Sequence, residues 1–138
     1  MINVGVLGAR GRMGAEVVNA VEVSSDCTLV AALDFRDSLD QLVTSGAQVV
    51  VDFTTPDSVM ANLEFLVTHK IHAVVGTTGF DDARMSKLKE LSAAHPEVGI
   101  LVAPNFAIGA VLMMEFAAKA AQFFESAEII DAIRYNRG

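Results

Sequence analysis

The stretch Val4-Gly5-Val6-Leu7-Gly8-Ala9-Arg10-Gly11-Arg12-Met13-Gly14 constrains this chain more than any other. Ile2 to Leu7 is an apolar run with β-branched residues and reads as a buried strand. It halts at Gly8 and gives way to a helical pattern carried by Met13, Val17, Val18 and Val21. Strand, glycine turn and helix in that order present a helix N-terminus, with its unpaired N–H groups, to a phosphate. In that reading Gly8 makes the tight turn, Gly11 lets the backbone approach a pyrophosphate, and Gly14 lets helix and strand pack closely. The spacing G-x-x-G-x-x-G varies on the commoner G-x-G-x-x-G, and a glycine-rich turn with no ligand would carry it too.

The rest of the chain repeats the alternation. Thr28 to Leu33 is a second strand ending at Asp34, and Asp37 to Ser45 is an abbreviated helix closed by Gly46. Gln48 to Phe53 is almost uniformly apolar, which predicts a central strand covered on both faces. Thr55 and Pro56 read as an N-cap followed by proline at the first helical position. That helix runs to about His69 and buries Val59, Leu63, Leu66 and Val67. His72 to Val75 is a fourth strand, ending in Gly76-Thr77-Thr78-Gly79. Asp81 or Asp82 caps a helix through Met85, Leu88 and Leu91 that stops near His95-Pro96, and Gly99 to Ala103 is a fifth strand. The pattern predicts an α/β fold, a Rossmann-like doubly wound parallel sheet. Its second and third strands are joined by one short connection, so the expected strand order is 2-1-3-4-5, with the topological switch between the first and third strands. Ligands of such sheets sit at the carboxyl ends of the strands flanking that switch. Beyond the fifth strand, residues 107–124 form a long helical pattern rich in Ala, Met and Phe, and an extra C-terminal strand is expected over about 127–133. The whole of 1–138 reads as one domain.

Composition excludes several functions. With 52% hydrophobic and 20% charged residues the chain has the means to bury a core. A net charge of −7 argues against a binder of nucleic-acid backbones, although Arg10 and Arg12 stand inside the glycine turn. No apolar run approaches the ~18 residues of a membrane span, and the chain enters its first strand without a signal-peptide pattern. One cysteine, Cys27, excludes an internal disulfide, suits a reducing cytoplasm, and reads as a structural, buried residue. His69, His72 and His95 have no ligand spacing with Cys27 or with paired carboxylates, so no metal site is expected. His69 and His95 fall in last turns of helices, where a cation is favourable.

The strand ends carry the candidate chemistry. Asp34 lies twenty residues after Gly14, where an acidic side chain accepts the hydroxyls of an adenine ribose. Arg10, Arg12 or Arg36 would instead meet a 2′-phosphate, which leaves the choice of cofactor open. Phe53-Thr54-Thr55, Gly76-Thr77-Thr78-Gly79 and Ala103-Pro104-Asn105-Phe106 end the next three strands. Their hydroxyl and amide groups suit an uncharged ring and its carboxamide, and would equally serve as helix caps and tight turns. No nucleophile elbow and no general acid accompany them.

Together, V-G-V-L-G-A-R-G-R-M-G, V-V-V-D-F-T-T-P, A-V-V-G-T-T-G-F and A-P-N-F-A-I-G-A resemble the N-terminal half of the dihydrodipicolinate reductases, to about Ile130. The run Phe123 to Glu128 is similar to the actinobacterial branch. The resemblance implies an NAD(P)H-dependent oxidoreductase, the 4-hydroxy-tetrahydrodipicolinate reductase of lysine and diaminopimelate synthesis, and a dinucleotide-binding domain. It implies that Gly8, Arg10, Gly11, Arg12, Met13 and Gly14 cradle the pyrophosphate of NADH or NADPH, and that Asp34 binds the adenosine ribose. Phe53, Thr54, Gly76, Thr77, Thr78, Ala103, Asn105 and Phe106 would line the ribose–nicotinamide end. The family continues into H-H-x-x-K-x-D-A-P-S-G-T-A and a catalytic, tetramer-forming domain. Here Ile133 and Arg134 fall where its histidines belong and Arg137 falls near its lysine, so no catalytic residue is assigned. The resemblance therefore implies a donor-binding domain that is inactive alone. The alternative is a stand-alone module that docks a partner, or a second copy of itself, through helix 107–124.

Overall fold

Five parallel strands form one sheet in the order β2-β1-β3-β4-β5. The structure is a computed structural model and describes residues 1–103, 106 and 108–125. The elements are β1 (Ile2–Leu7), α1 (Arg12–Glu22), β2 (Cys27–Leu33), α2 (Asp40–Thr44), β3 (Val49–Asp52), α3 (Val59–Thr68), β4 (His72–Val75), α4 (Asp82–Ala94), β5 (Ile100–Val102) and α5 (Ile108–Ala121). The strand order is the expected one. β1 pairs with β2 on one side and β3 on the other, so successive crossovers leave β1 in opposite directions. That reversal is the topological switch.

The core forms where the apolar strands meet α3. Val6, Val50 and Val75 on three neighbouring strands are fully buried, as are Val59, Leu63 and Leu66 of α3. Each such side chain contributes roughly 1.5–3 kcal/mol on leaving water. α3 buries the face read from its periodicity, Val59, Leu63, Leu66 and Val67. Its start differs from the expectation. Ser58 and Val59 N–H both donate to Thr55 O, and the regular helix begins only at Val59. Thr55 Oγ1 pairs with Ser58 Oγ at 3.2 Å, so the threonine closes a turn instead of capping the helix with its side chain. α2 is shorter than the predicted Asp37 to Ser45, because Asp37 is drawn into a turn with Asp34. Gly46, at φ +72°, ends it as expected. Asp81, not Asp82, caps α4, accepting Arg84 N–H at 2.9 Å. Cys27 is half-buried rather than buried, because it opens the edge strand β2.

The chain divides into two compact units, Met1–Pro104 and Asn105–Gly138. Within the second, Gly109, Leu112, Met113, Phe116, Ala117 and Ala120 share one apolar face of α5, and Lys119 bonds Glu115 one turn back at 3.0 Å. The extra strand expected over about 127–133 lies outside the described residues. Among the described residues no helix is long and apolar enough to cross a membrane.

Candidate functional site

The exits of all five strands are laced together by one row of main-chain hydrogen bonds. Ala9 N–H donates to Leu33 O at 3.1 Å, Phe53 N–H to Leu7 O at 3.0 Å, Gly76 N–H to Asp52 O at 2.9 Å, and Ala103 N–H to Val75 O at 2.9 Å. Phe53, Gly76 and Ala103 stand one residue past their strands, and Ala9 two residues past β1. The Gly8 turn and the segments opening at Phe53, Gly76 and Ala103 thus leave the sheet along one rim, as the pattern of strand ends predicts.

At the switch point the glycine turn is sterically determined. Gly8 adopts φ +73°, a left-handed conformation that side chains disfavour, and a Cβ there would lie 2.6 Å from Phe53 O. Gly11 N–H donates back to Gly8 O at 3.0 Å. Gly14 is buried, and a Cβ on it would sit 2.0 Å from the same Gly8 oxygen. α1 then starts from Gly11 with no side-chain cap and no acidic residue in its first turn. Its leading N–H groups and the positive end of its dipole are left to an incoming anion. Arg10 and Arg12 are exposed beside them, and neither forms an ion pair among the described residues.

Asp34 is tied to this turn. Its Oδ2 accepts Arg10 N–H at 2.9 Å, and its own N–H donates to Asp37 Oδ2 at 2.8 Å. A cavity of about 420 Å³ opens between them, lined by Gly8, Gly11, Asp34, Asp37, Phe53, Thr54, Ser58 and Asn62 among others. At Asp34 the chain also exposes Phe35, with the Arg36 guanidinium 5.2 Å above its ring. The cavity lies at the carboxyl ends of β1 and β3, and its size suits part of a nucleotide.

The remaining predicted residues divide. Thr77 and Thr78 line a separate cavity of about 400 Å³ with Phe80, Met85 and Val102. Thr77 is buried, with its hydroxyl donating to Asp52 O at 3.4 Å, whereas Thr78 is exposed. Gly76 and Ala103 stand at strand exits and line neither cavity. Met13 is exposed on the first turn of α1. Phe106 belongs to the second unit, and Asn105 lies outside the described residues. Below the cavity are two residues that sequence reasoning missed. Asp52, at the end of β3, is fully buried, and its side chain accepts bonds from Thr54 and from Asn62 of α3. The available signals were an acid closing the apolar run of β3 and an amide on the apolar face of α3. Among the described residues no three His, Cys, Asp or Glu side chains are grouped to hold a metal.

Comparisons with known proteins agree with this architecture. Residues 2–106 match the family described as dihydrodipicolinate reductase, N-terminus. The 4-hydroxy-tetrahydrodipicolinate reductases of Nocardia farcinica and Streptomyces avermitilis are 56% and 54% identical to 99% of this chain. The chain spans about half the length of these curated relatives, 55% and 54% respectively. Among solved structures, a dipicolinate-bound dihydrodipicolinate reductase from Paenisporosarcina sp. TG-14 superposes with a TM-score of 0.80 at 35% identity, over 90% of this chain and 55% of that one. A putative myo-inositol dehydrogenase from Sinorhizobium meliloti, at TM-score 0.61 and 18% identity, shares the fold. A family match over the greater part of the chain, high identity along nearly all of it and close superposition on a solved reductase lead to one assignment: the chain belongs to the family of dihydrodipicolinate reductase N-terminal domains.

Proposed function

We propose that this chain binds the dinucleotide hydride donor, NADH or NADPH, for a 4-hydroxy-tetrahydrodipicolinate reductase of lysine and diaminopimelate synthesis. The observation that carries the reading is the uncapped N-terminus of α1 behind a turn that only glycine fits, opening beside Asp34. Those residues fit the group. Gly11 lines the cavity, and a Cβ on it would meet only Gly8 O, at 3.2 Å, so the backbone is open towards a pyrophosphate. Arg10 and Arg12 add positive charge at that end, which an acidic chain otherwise lacks. Asp34 presents its carboxylate to ribose hydroxyls, and Thr77 and Thr78 line the cavity further along the rim. The bound dinucleotide supplies a hydride; the residues named here bind and orient it. Reduction of a cyclic imine also needs a proton. Among the described residues, no histidine, lysine or tyrosine lines either rim cavity, so this chain serves as the donor-binding part and is inactive alone.

The test is calorimetric titration of the 138-residue chain with NADH and with NADPH. Binding of either in the micromolar range, lost in Gly11→Val, is the expected result, and the ratio of the two affinities measures what Arg10 and Arg12 do for a 2′-phosphate. No heat with either cofactor overturns the reading. A second reading follows from the apolar face of α5, through which two copies of the chain would associate. Small-angle scattering at rising concentration tests it, and a monodisperse monomer refutes it.

A further inference from the structure

Asp52 is the feature that cofactor binding leaves unexplained. It stands at the end of central strand β3 with no exposed surface. Its Oδ1 accepts both donors of one residue, Thr54 N–H at 2.8 Å and Thr54 O–H at 2.6 Å. Its Oδ2 accepts the Asn62 amide at 2.9 Å, and the same amide reaches Thr54 Oγ1 at 3.2 Å. The three side chains close a ring beneath the cavity that Thr54 and Asn62 line.

Burying a carboxyl group is expensive even when fully bonded, and an apolar residue of similar size commonly serves stability better. Val50, two residues earlier on the same face, is such a residue. α3 does not depend on the ring for its seat, since Val59, Leu63 and Leu66 hold it with no exposure. What only Asp52 supplies is the direction of Thr54. With both donors held by Asp52, Thr54 meets the cavity it lines through its remaining atoms in one fixed conformation. We infer that Asp52, locked by Asn62, is a positioning residue that sets the Thr54 wall of the nucleotide crevice, so that its integrity is read in cofactor affinity. The inference rests on the proposed binding of NADH or NADPH.

The experiment compares NADH affinity and thermal midpoint in Asp52→Asn, Asn62→Asp and the double exchange Asp52→Asn/Asn62→Asp. In Asp52→Asn two amide donors face one another across the ring. The expected result is an NADH Kd raised about tenfold, the factor set by one hydrogen bond to a charged group. The double exchange restores a donor opposite an acceptor, and is expected to return Kd to within about threefold of the starting chain. A merely structural role would lower the midpoint of Asp52→Asn and leave the Kd of the folded protein unchanged, which overturns the inference. Failure of the double exchange to recover affinity overturns it as well. If Asp52→Asn does not fold, Asn62→Ser removes the amide from the ring. A Kd raised about threefold or more supports the inference, and an unchanged Kd refutes it. Failure of the unsubstituted chain to bind NADH or NADPH removes the nucleotide reading and this one with it. Binding that is equal in the unsubstituted chain and Asp52→Asn removes this one alone.

Discussion

Gly14→Ala sets two well-calibrated effects against each other. Gly14 lies inside α1, where alanine is favoured over glycine by about 1 kcal/mol on helix propensity alone. Against this, the new methyl would lie 2.0 Å from Gly8 O, 2.7 Å from Gly8 C and 2.9 Å from Ala9 Cα. Ordinary carbon contacts are about 3.5–4.0 Å. All three neighbours are backbone, so no rotamer change relieves them, and the helix must withdraw from the turn by more than an ångström. Gly8 O is also the acceptor for Gly11 N–H, so moving the turn strains the bond that shapes it. Overpacking costs about 1–3 kcal/mol, and a rigid backbone neighbour places this case at the upper end. The propensity gain leaves a net destabilisation of about 2 kcal/mol. Urea unfolding followed by far-ultraviolet circular dichroism would read this as a lower midpoint with unchanged slope. The thermal midpoint should fall by roughly 5–10 °C. A variant as stable as the parent, or more stable, would refute the argument that close approach of α1 to the turn requires a glycine.

Gly11→Ala should behave in the opposite way. Its Cβ meets only Gly8 O at 3.2 Å, so the thermal midpoint should move little, while NADH binding measured by calorimetry weakens about tenfold as the methyl enters the crevice. Asp34→Ala removes the acceptor of Arg10 N–H and the ribose partner together, and titration should show a loss of affinity of about tenfold or more. In Gly46→Ala the Cβ meets only Asn3 Nδ2, at an ordinary 3.8 Å, but sits at φ +72°, so denaturant titration should register about 1 kcal/mol of backbone strain. Glu97 has its carboxyl held below the ordinary value, chiefly by a main-chain hydrogen bond at Glu97 itself, with His95 and Lys70 adding attraction. A depressed folded-state pKa stabilises the fold above the unfolded pKa, and that contribution disappears as pH falls through the folded one. The acid limb of a stability–pH profile should therefore be flatter in Glu97→Gln.

The fold was legible because its signals are local and periodic. The run from Gln48 to Phe53 reads as a central strand on its apolarity, and the structure forms β3 within it at Val49–Asp52; Val59, Leu63, Leu66 and Val67 mark the buried face of α3 by spacing alone. Topology followed from the short connection between β2 and β3. Boundaries were less legible where side chains compete for the same backbone groups. Thr55 offers a hydroxyl suited to capping, yet Ser58 takes that hydroxyl and the helix starts later. Asp37 reads as the opening of a helix, yet its carboxylate accepts Asp34 N–H and shapes the loop that follows β2.

The site divides along the same line. Gly8, Gly11 and Asp34 were readable because each acts through its own position relative to a strand end, and the structure brings all three to one cavity. Thr54 was readable as a rim residue, but not in the sense its hydroxyl suggests, because both of its donors turn away from the cavity to Asp52. Asn62 lies ten residues from Asp52 along the chain, on a helix whose other inward residues are apolar. No period or motif joins a strand-end acid to an amide in the middle of the next helix; only packing α3 against β3 brings them within 2.9 Å. A Rossmann-like rim is therefore written twice. The glycines and Asp34 belong to a local code, whereas the polar ring of Asp52, Thr54 and Asn62 appears only after the hydrophobic face of α3 has found its sheet. A substitution on that face that shifts α3, such as Leu63→Ala, should on this reasoning loosen Thr54 and weaken NADH binding in calorimetric titration, although Leu63 itself does not line the cavity.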